Sequence, residues 1–205
     1  CMVALESTEQ LDRGDRAPPF ELQGTDGRTY TRSDFADYDG LLVVFTCNHC
    51  PYAKAKFEEL NRLAAEFDEV AVVGVNPNDP GAYPEDDFET MQERVADGTI
   101  AYDAYLHDEA QTVAAAYGAT CTPDPFLFEN TARAEPSLQT ADEGFHLVYH
   151  GRLDDALSPG ETPESREMAS HIESMLAGEL VPEAFRPSRG CSIKWRDGNE
   201  PDYLE

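Results

Sequence analysis

The unbroken apolar run Leu41-Leu42-Val43-Val44-Phe45 is followed at once by a segment with apolar residues at positions 53, 57, 60, 63, 64 and 67. The first pattern is that of a strand buried on both faces, and the second that of a helix with one buried face. The pair then recurs. Val70-Ala71-Val72-Val73-Gly74-Val75 reads as a second buried strand, and after the Pro-rich loop 76–84 a helix is expected over 85–96. Strands alternating with helices pair in parallel through right-handed crossovers, so the chain is restricted to an α/β architecture around one sheet.

The rest of the chain fills in that frame. Residues 1–14 are polar and are expected to fray. Ala17 to Leu22, the turn dipeptide Asp26-Gly27 and Arg28 to Tyr30 read as a hairpin. A short strand is expected near 100–106, a helix over 109–117, a strand at Phe126-Leu127-Phe128 and another over 145–150. Residues 130–144 lack periodicity and read as a solvated loop insertion. Thr162 as cap and Pro163 at the first position start a last helix that runs to Ala177, before Gly178. This divides the chain into an N-terminal segment 1–14, one α/β domain 15–178 and an extension 179–205. Cys191, Ile193 and Trp195 predict that the extension packs on the domain.

With 41 Asp and Glu against 15 Lys and Arg in 205 residues, the net charge is −26. Binding of nucleic acid through phosphate neutralisation is excluded, and an anionic membrane surface is disfavoured. No run of about 18 apolar residues occurs, and residues 1–10 have neither a basic nor an apolar leader region. A cytoplasmic protein is expected. The acids are spread along the whole chain, as on a carboxylate-covered surface kept soluble at high salt, where the Debye length is about 3 Å. The other reading of the charge is a surface that attracts a basic partner.

Five cysteines, Cys1, Cys47, Cys50, Cys121 and Cys191, are too few and odd in number for a secreted disulfide framework. Two form the C-x-x-C of Thr46-Cys47-Asn48-His49-Cys50-Pro51, at the junction of the first strand and its helix. That spacing brings two sulfurs within bonding reach, and a helix start favours thiolate over thiol. Cys47 is the expected nucleophile, and His49 a group that stabilises its thiolate. Half of a zinc site is the alternative, but the remaining Cys and His form no second pair at ligand spacing. No acid occurs between Thr46 and Phe57.

The chain resembles the thioredoxin-fold redoxins, and within them the peroxiredoxin-like group, of alkyl hydroperoxide reductase and thiol-specific antioxidant type, that carries a C-x-x-C. The resemblance rests on Ala17-Pro18-Pro19-Phe20 to Asp34-Phe35, Thr46 to Tyr52, Tyr117 to Asp124, Gly151 to Asp155, and Gly190 to Trp195. It implies a thioredoxin-like fold with a central mixed sheet, an N-terminal hairpin and a C-terminal tail. It also implies a Cys47–Cys50 pair cycling between dithiol and disulfide and facing a cis proline, for which Pro123 fits. Thr122 would then present its backbone to an incoming peptide or mixed disulfide, with Thr46 beside the pair. Cys121 and Cys191 are candidate resolving thiols, Cys191 being also readable as a buried anchor of the tail.

Two departures bear on the reaction. The peroxiredoxin pattern has Thr three residues before its reactive Cys; on that pattern Cys50 is the peroxidatic position, Cys47 replaces the Thr, and Pro123 falls about where the activating Arg belongs. A His before the second Cys resembles disulfide isomerases and disulfide-forming oxidases. The expected function is thiol–disulfide exchange with protein thiols or disulfides, a thioredoxin-like reductant or client, with no cofactor and no resident metal. Reduction of a hydroperoxide and carriage of a soft metal by the C-x-x-C are the alternatives.

Overall fold

Both apolar runs lie at the middle of an eight-stranded sheet in the computed structural model, which describes residues 4–133 and 136–204. The elements in chain order are β1 (Ala4–Glu6), β2 (Glu21–Gly24), β3 (Thr29–Thr31), β4 (Gly40–Phe45), α1 (Pro51–Lys54), α2 (Phe57–Glu66), β5 (Val70–Asn76) and α3 (Phe88–Ala96). They continue with β6 (Ala104–His107), α4 (Thr112–Tyr117), β7 (Cys121–Thr122), β8 (Asp124–Asn130), β9 (Phe145–Gly151), α5 (Glu167–Leu176), β10 (Phe185–Arg186) and β11 (Arg189–Ser192).

The sheet order is β10-β9-β8-β4-β5-β6-β2-β3. β4, β5 and β6 are parallel neighbours, as the alternating pattern requires, while β8 joins β4 antiparallel and makes the sheet mixed. Successive strand residues face opposite sides. Leu41, Val43 and Phe45 therefore join Val73, Val75 and the α4 residues Val113 and Tyr117 in one core. Leu42 and Val44 join Leu60 and Leu63 of α2 and Met168 and Ile172 of α5 in the other. Phe45, Tyr117 and Phe126 meet edge to face with centroids 5.4–5.8 Å apart. Each such fully buried ring contributes roughly 1.5–3 kcal/mol through lost apolar surface.

Four expectations are corrected. Residues 4–6 do not fray: they form β1, antiparallel to β11, and the Ser7 N–H donates to the Ser188 carbonyl at 2.9 Å. The helix expected over 52–67 is broken into α1 and α2 at Ala55 and Lys56, where Lys56 Nζ turns aside to Asp154 and to the Ala156 carbonyl at 2.8 Å. The helix expected from Glu85 begins at Phe88, because Asp87 is its cap and accepts from the Thr90 N–H at 2.8 Å, a bond worth about 1 kcal/mol. The helix expected from Thr162 begins at Glu167. Asp155 Oδ1 accepts from the N–H groups of Glu164 and Ser165 at 2.9 and 3.1 Å and holds that approach as loop.

The tail returns to the domain as strand. β11 lies between β1 and β7, with Cys191 opposite both Ala4 and Thr122. Because Phe45 pairs with Asp124, residues 46–50 leaving β4 and residues 121–123 entering β8 are neighbours at one end of the sheet. Among the described residues no helix is long and apolar enough to cross a membrane.

Candidate active site

Cys50 is the cap residue of α1, with extended backbone, and Pro51 opens the helix where its missing N–H costs least. Cys47 lies four residues before the first helical residue rather than in the first turn. The structure bonds Cys50 to Cys191, with Cα atoms 6.3 Å apart, and leaves Cys47 as a thiol. The disulfide present here is therefore not the expected Cys47–Cys50 bond. The physical reason is the strand pairing: β11 sets Cys191 opposite Thr122, and the Cys50 Sγ lies 3.5 Å from the Thr122 carbonyl oxygen. Cys47, Cys50 and Cys191 share one apolar cluster with Ala53, Phe57, Met91, Ile100 and Tyr105. Cys1 lies outside the described residues.

The Thr122–Pro123 bond is cis. Thr122 Oγ1 is 3.2 Å from Cys47 Sγ, so this residue touches one sulfur with its side chain and the disulfide with its backbone. Its neighbour on the strand must face the other way. The Cys121 thiol accordingly turns to the Pro123 carbonyl and Ser188 Oγ, at 3.6 and 3.8 Å, and not toward the other sulfurs. Burial pushes its pKa well up. Thr46 is held by its N–H to the Val75 carbonyl at 2.9 Å, and its hydroxyl is buried without a partner.

Asp86, fully buried, organises the loop between the two motif cysteines. Its Oδ1 accepts from the N–H groups of Asn48 and His49 at 2.7 and 3.2 Å, and its Oδ2 from Asn78 Nδ2 at 2.7 Å and from His49 Nδ1. The His49 ring stacks on Tyr83 at 4.0 Å, and Lys194 Nζ lies 5.6 Å from the centre of the Tyr83 ring. Burial, and then the Asp86 charge, push the Cys47 thiol up to about 12. Thr122 and the N–H groups of Cys50 and His49 oppose the rise and lose. The expectation of a stabilised Cys47 thiolate is thus reversed in this closed state, because desolvating a thiolate outweighs a few hydrogen bonds to it.

Residues 13–138 match the family model described as AhpC/TSA. The chain belongs to the AhpC/TSA family. Among solved structures, an uncharacterized conserved protein from Geobacillus kaustophilus is 37% identical, with 96% of this chain and 98% of that one covered and a TM-score of 0.82. A hypothetical protein from Sinorhizobium meliloti 1021 is 35% identical over 94% of this chain and 99% of that one, also at 0.82. A proposed thiol:disulfide interchange protein, DsbE, from Chlorobium tepidum is 21% identical over 69% of this chain and 85% of that one, with a TM-score of 0.51, which shows a shared thioredoxin-like fold. No curated protein matches.

As an AhpC/TSA protein with three sulfurs gathered at one strand end, the chain has a thioredoxin-like redox function. The arrangement supports sulfur exchange at Cys50, whose bond to Cys191 has Cys47 in the same cluster. Cys47, His49 and Asp86 offer sulfur, nitrogen and oxygen within 4.8 Å of one another, a donor set open to a metal ion. Both Asp86 oxygens are already saturated by protein donors, which disfavours ligation. Asp86 itself carries no sequence signal: it is one of 41 acids, in an acidic loop 36 residues past the motif, and only the fold sets it against Asn48 and His49. Asp124 closes the Tyr117 to Asp124 block that carries the resemblance, but its role appears only in the fold: its Oδ2 accepts from the Thr120 N–H at 3.1 Å and its Oδ1 lies 2.7 Å from His150 Nε2, which ties down the strand that carries Thr122.

Proposed function

We propose that the protein is a thiol–disulfide oxidoreductase in which Cys50 is the central sulfur, bonded to Cys191 in one state and to Cys47 in another. The observation that carries this reading is the Cys50–Cys191 bond with the Cys47 thiol in the same buried cluster, beneath Thr122. In the exchange, Cys47 attacks Cys50; the Cys47–Cys50 bond forms, the Cys50–Cys191 bond breaks, and the Cys47 proton ends on Cys191. The partners are protein thiols or disulfides, in a reducing, salt-rich cytoplasm that turns the bond over. His49, fixed by Asp86, and Lys194 lie beside the attacking sulfur.

The test is a trap. Cys50 left alone, in Cys47→Ser/Cys191→Ser, should retain mixed disulfides with cellular proteins, whereas Cys50→Ser should retain none by this route. An empty trap in both would sink the proposal, and a full one only in Cys50→Ser would move the central role to Cys47.

Reduction of a hydroperoxide is a second reading, favoured by the position of Cys50 at a helix start and its bond to a cysteine 141 residues away. There Cys50 takes an oxygen from the peroxide as sulfenic acid, and Cys191 displaces it as water to close the disulfide. One equivalent of hydrogen peroxide on reduced protein should then give Cys50–Cys191 with peroxide consumed. A reaction no faster than with free cysteine would leave the exchange reading alone.

A further inference from the structure

The chain presents its own polypeptide to the active site. The stretch Arg186 to Arg196 holds Arg186, Arg189, Lys194 and Arg196 and no acid, in a chain with 41 acids and 15 cations. Acids receive its ends: Glu167 of α5 and the nearby Glu183 of the extension pair with Arg186, and Asp79 and Glu109 with Arg196. Between those anchors, β11 lies on β7 with its cysteine joined to Cys50.

This seat has a steric filter. A Cβ on Gly190 would lie 2.1 Å from the carbonyl oxygen and 2.5 Å from the carbonyl carbon of Thr122. Both are backbone atoms of a short strand fixed by its pairing, so they have no rotamer with which to give way. Glycine before the cysteine is what lets the strand approach Thr122. The seat also controls access, since Cys47 and Cys50 are 0% exposed and Cys191 is 1% exposed while β11 is in place. A partner's sulfur cannot reach Cys50 while the site stays closed in this way.

We propose that the edge of β7, with its flanking acids, is a docking surface for an extended, basic, glycine-cysteine segment of a partner protein, seated in the path now held by residues 186–196, whose end cations those acids receive. The proposal rests on the thiol–disulfide reading above and adds the class of partner. The incoming thiol forms a bond to Cys50, the Cys50–Cys191 bond breaks, and the proton of the incoming thiol passes to Cys191. The net charge of −26 then assists encounter with a basic segment.

The experiment uses reduced Cys47→Ser/Cys191→Ser and three peptides, each activated as a disulfide with thionitrobenzoate. One has the sequence of residues 186–196, one replaces its glycine by alanine, and one replaces its Arg and Lys by Glu. Cys50 attacks the peptide sulfur, thionitrobenzoate leaves as the coloured thiolate, and mass identifies the Cys50 adduct. The glycine peptide should react about tenfold or more faster than the alanine peptide, from the cost of overpacking a fixed site. It should also outrun the acidic peptide, by a margin that shrinks in molar salt. Equal rates for all three, with the simple dithionitrobenzoate reagent also reacting, would overturn the docking surface and leave the oxidoreductase standing. Failure of Cys50 to react even with that reagent would remove both. Reduced wild-type protein must rank the peptides in the same order, an arm that covers misfolding of the double variant; a flat order there overturns the proposal as well.

Discussion

Reduction of the Cys50–Cys191 bond gives the sharpest test of which sulfurs are paired, because the two candidate disulfides differ greatly in the loop they close. The bond spans 141 residues. In the chain-entropy account its removal from the unfolded ensemble's constraints is worth on the order of 5 kcal/mol at 25 °C, whereas a Cys47–Cys50 bond would be worth only about 1.6 kcal/mol. For a domain of this size each kcal/mol moves the melting temperature by roughly 2–4 °C. Oxidised protein should therefore melt roughly 10–20 °C above protein reduced with a phosphine, and Cys191→Ser should lose that difference. In Cys47→Ser the difference should persist, whatever that variant's own stability. Calorimetry of the three proteins, each oxidised and reduced, checks it. A difference of only a few degrees, or one abolished by Cys47→Ser and retained by Cys191→Ser, would refute the pairing and restore the motif disulfide.

Gly190→Ala in reduced protein should lift β11 from Thr122, since its Cβ would fall 2.1 Å from a backbone oxygen. At a cost of about 1–3 kcal/mol, labelling of Cys191 by a maleimide should rise roughly 5- to 150-fold, and an unchanged rate would contradict that contact. Cys47 has its pKa raised, to about 12, so its contribution to stability is present in full below the ordinary thiol pKa and is lost as pH rises toward 12. Denaturant midpoints should fall between about pH 9 and pH 12 in the wild type, and less in Cys47→Ser. Asp86→Asn should lower the pKa of Cys47, read from the pH dependence of its alkylation in unfolding-free conditions, without returning it to the ordinary value, because burial is the larger cause. The −26 charge predicts a higher melting temperature in molar than in millimolar KCl; equal values would leave the acidity without a role in salt adaptation.

The fold was legible where the pattern was local. Leu41 to Phe45 and Val70 to Val75 could only be buried parallel strands, and Pro51 after the C-x-x-C set the strand-to-helix junction to within a residue. The resemblance carried Pro123, and the bond before it is cis. Helix starts were read less well at Glu85 and Thr162, because capping depends on which groups the loop's acids bind. Asp87 takes Thr90, and Asp155 takes Glu164 and Ser165, from positions that composition does not reveal. The N-terminal segment misled for a related reason. Its three-residue strand has little apolar signal of its own and is ordered by pairing with a tail more than 180 residues away.

By itself the amino-acid sequence determined that an α/β sheet would deliver two cysteines to the end of a central strand, since a period of two and a period of 3.6 are properties of neighbours along the chain. It also determined that no acid lies within the motif. Only the tertiary structure decided that an acid lies against it, Asp86, and that burial first and the Asp86 charge second push the Cys47 pKa up. Only the tertiary structure, too, decided that Cys50 bonds to Cys191. A disulfide needs two Cα atoms within a few ångströms, and strand register across 141 residues brings them there, which no spacing rule encodes.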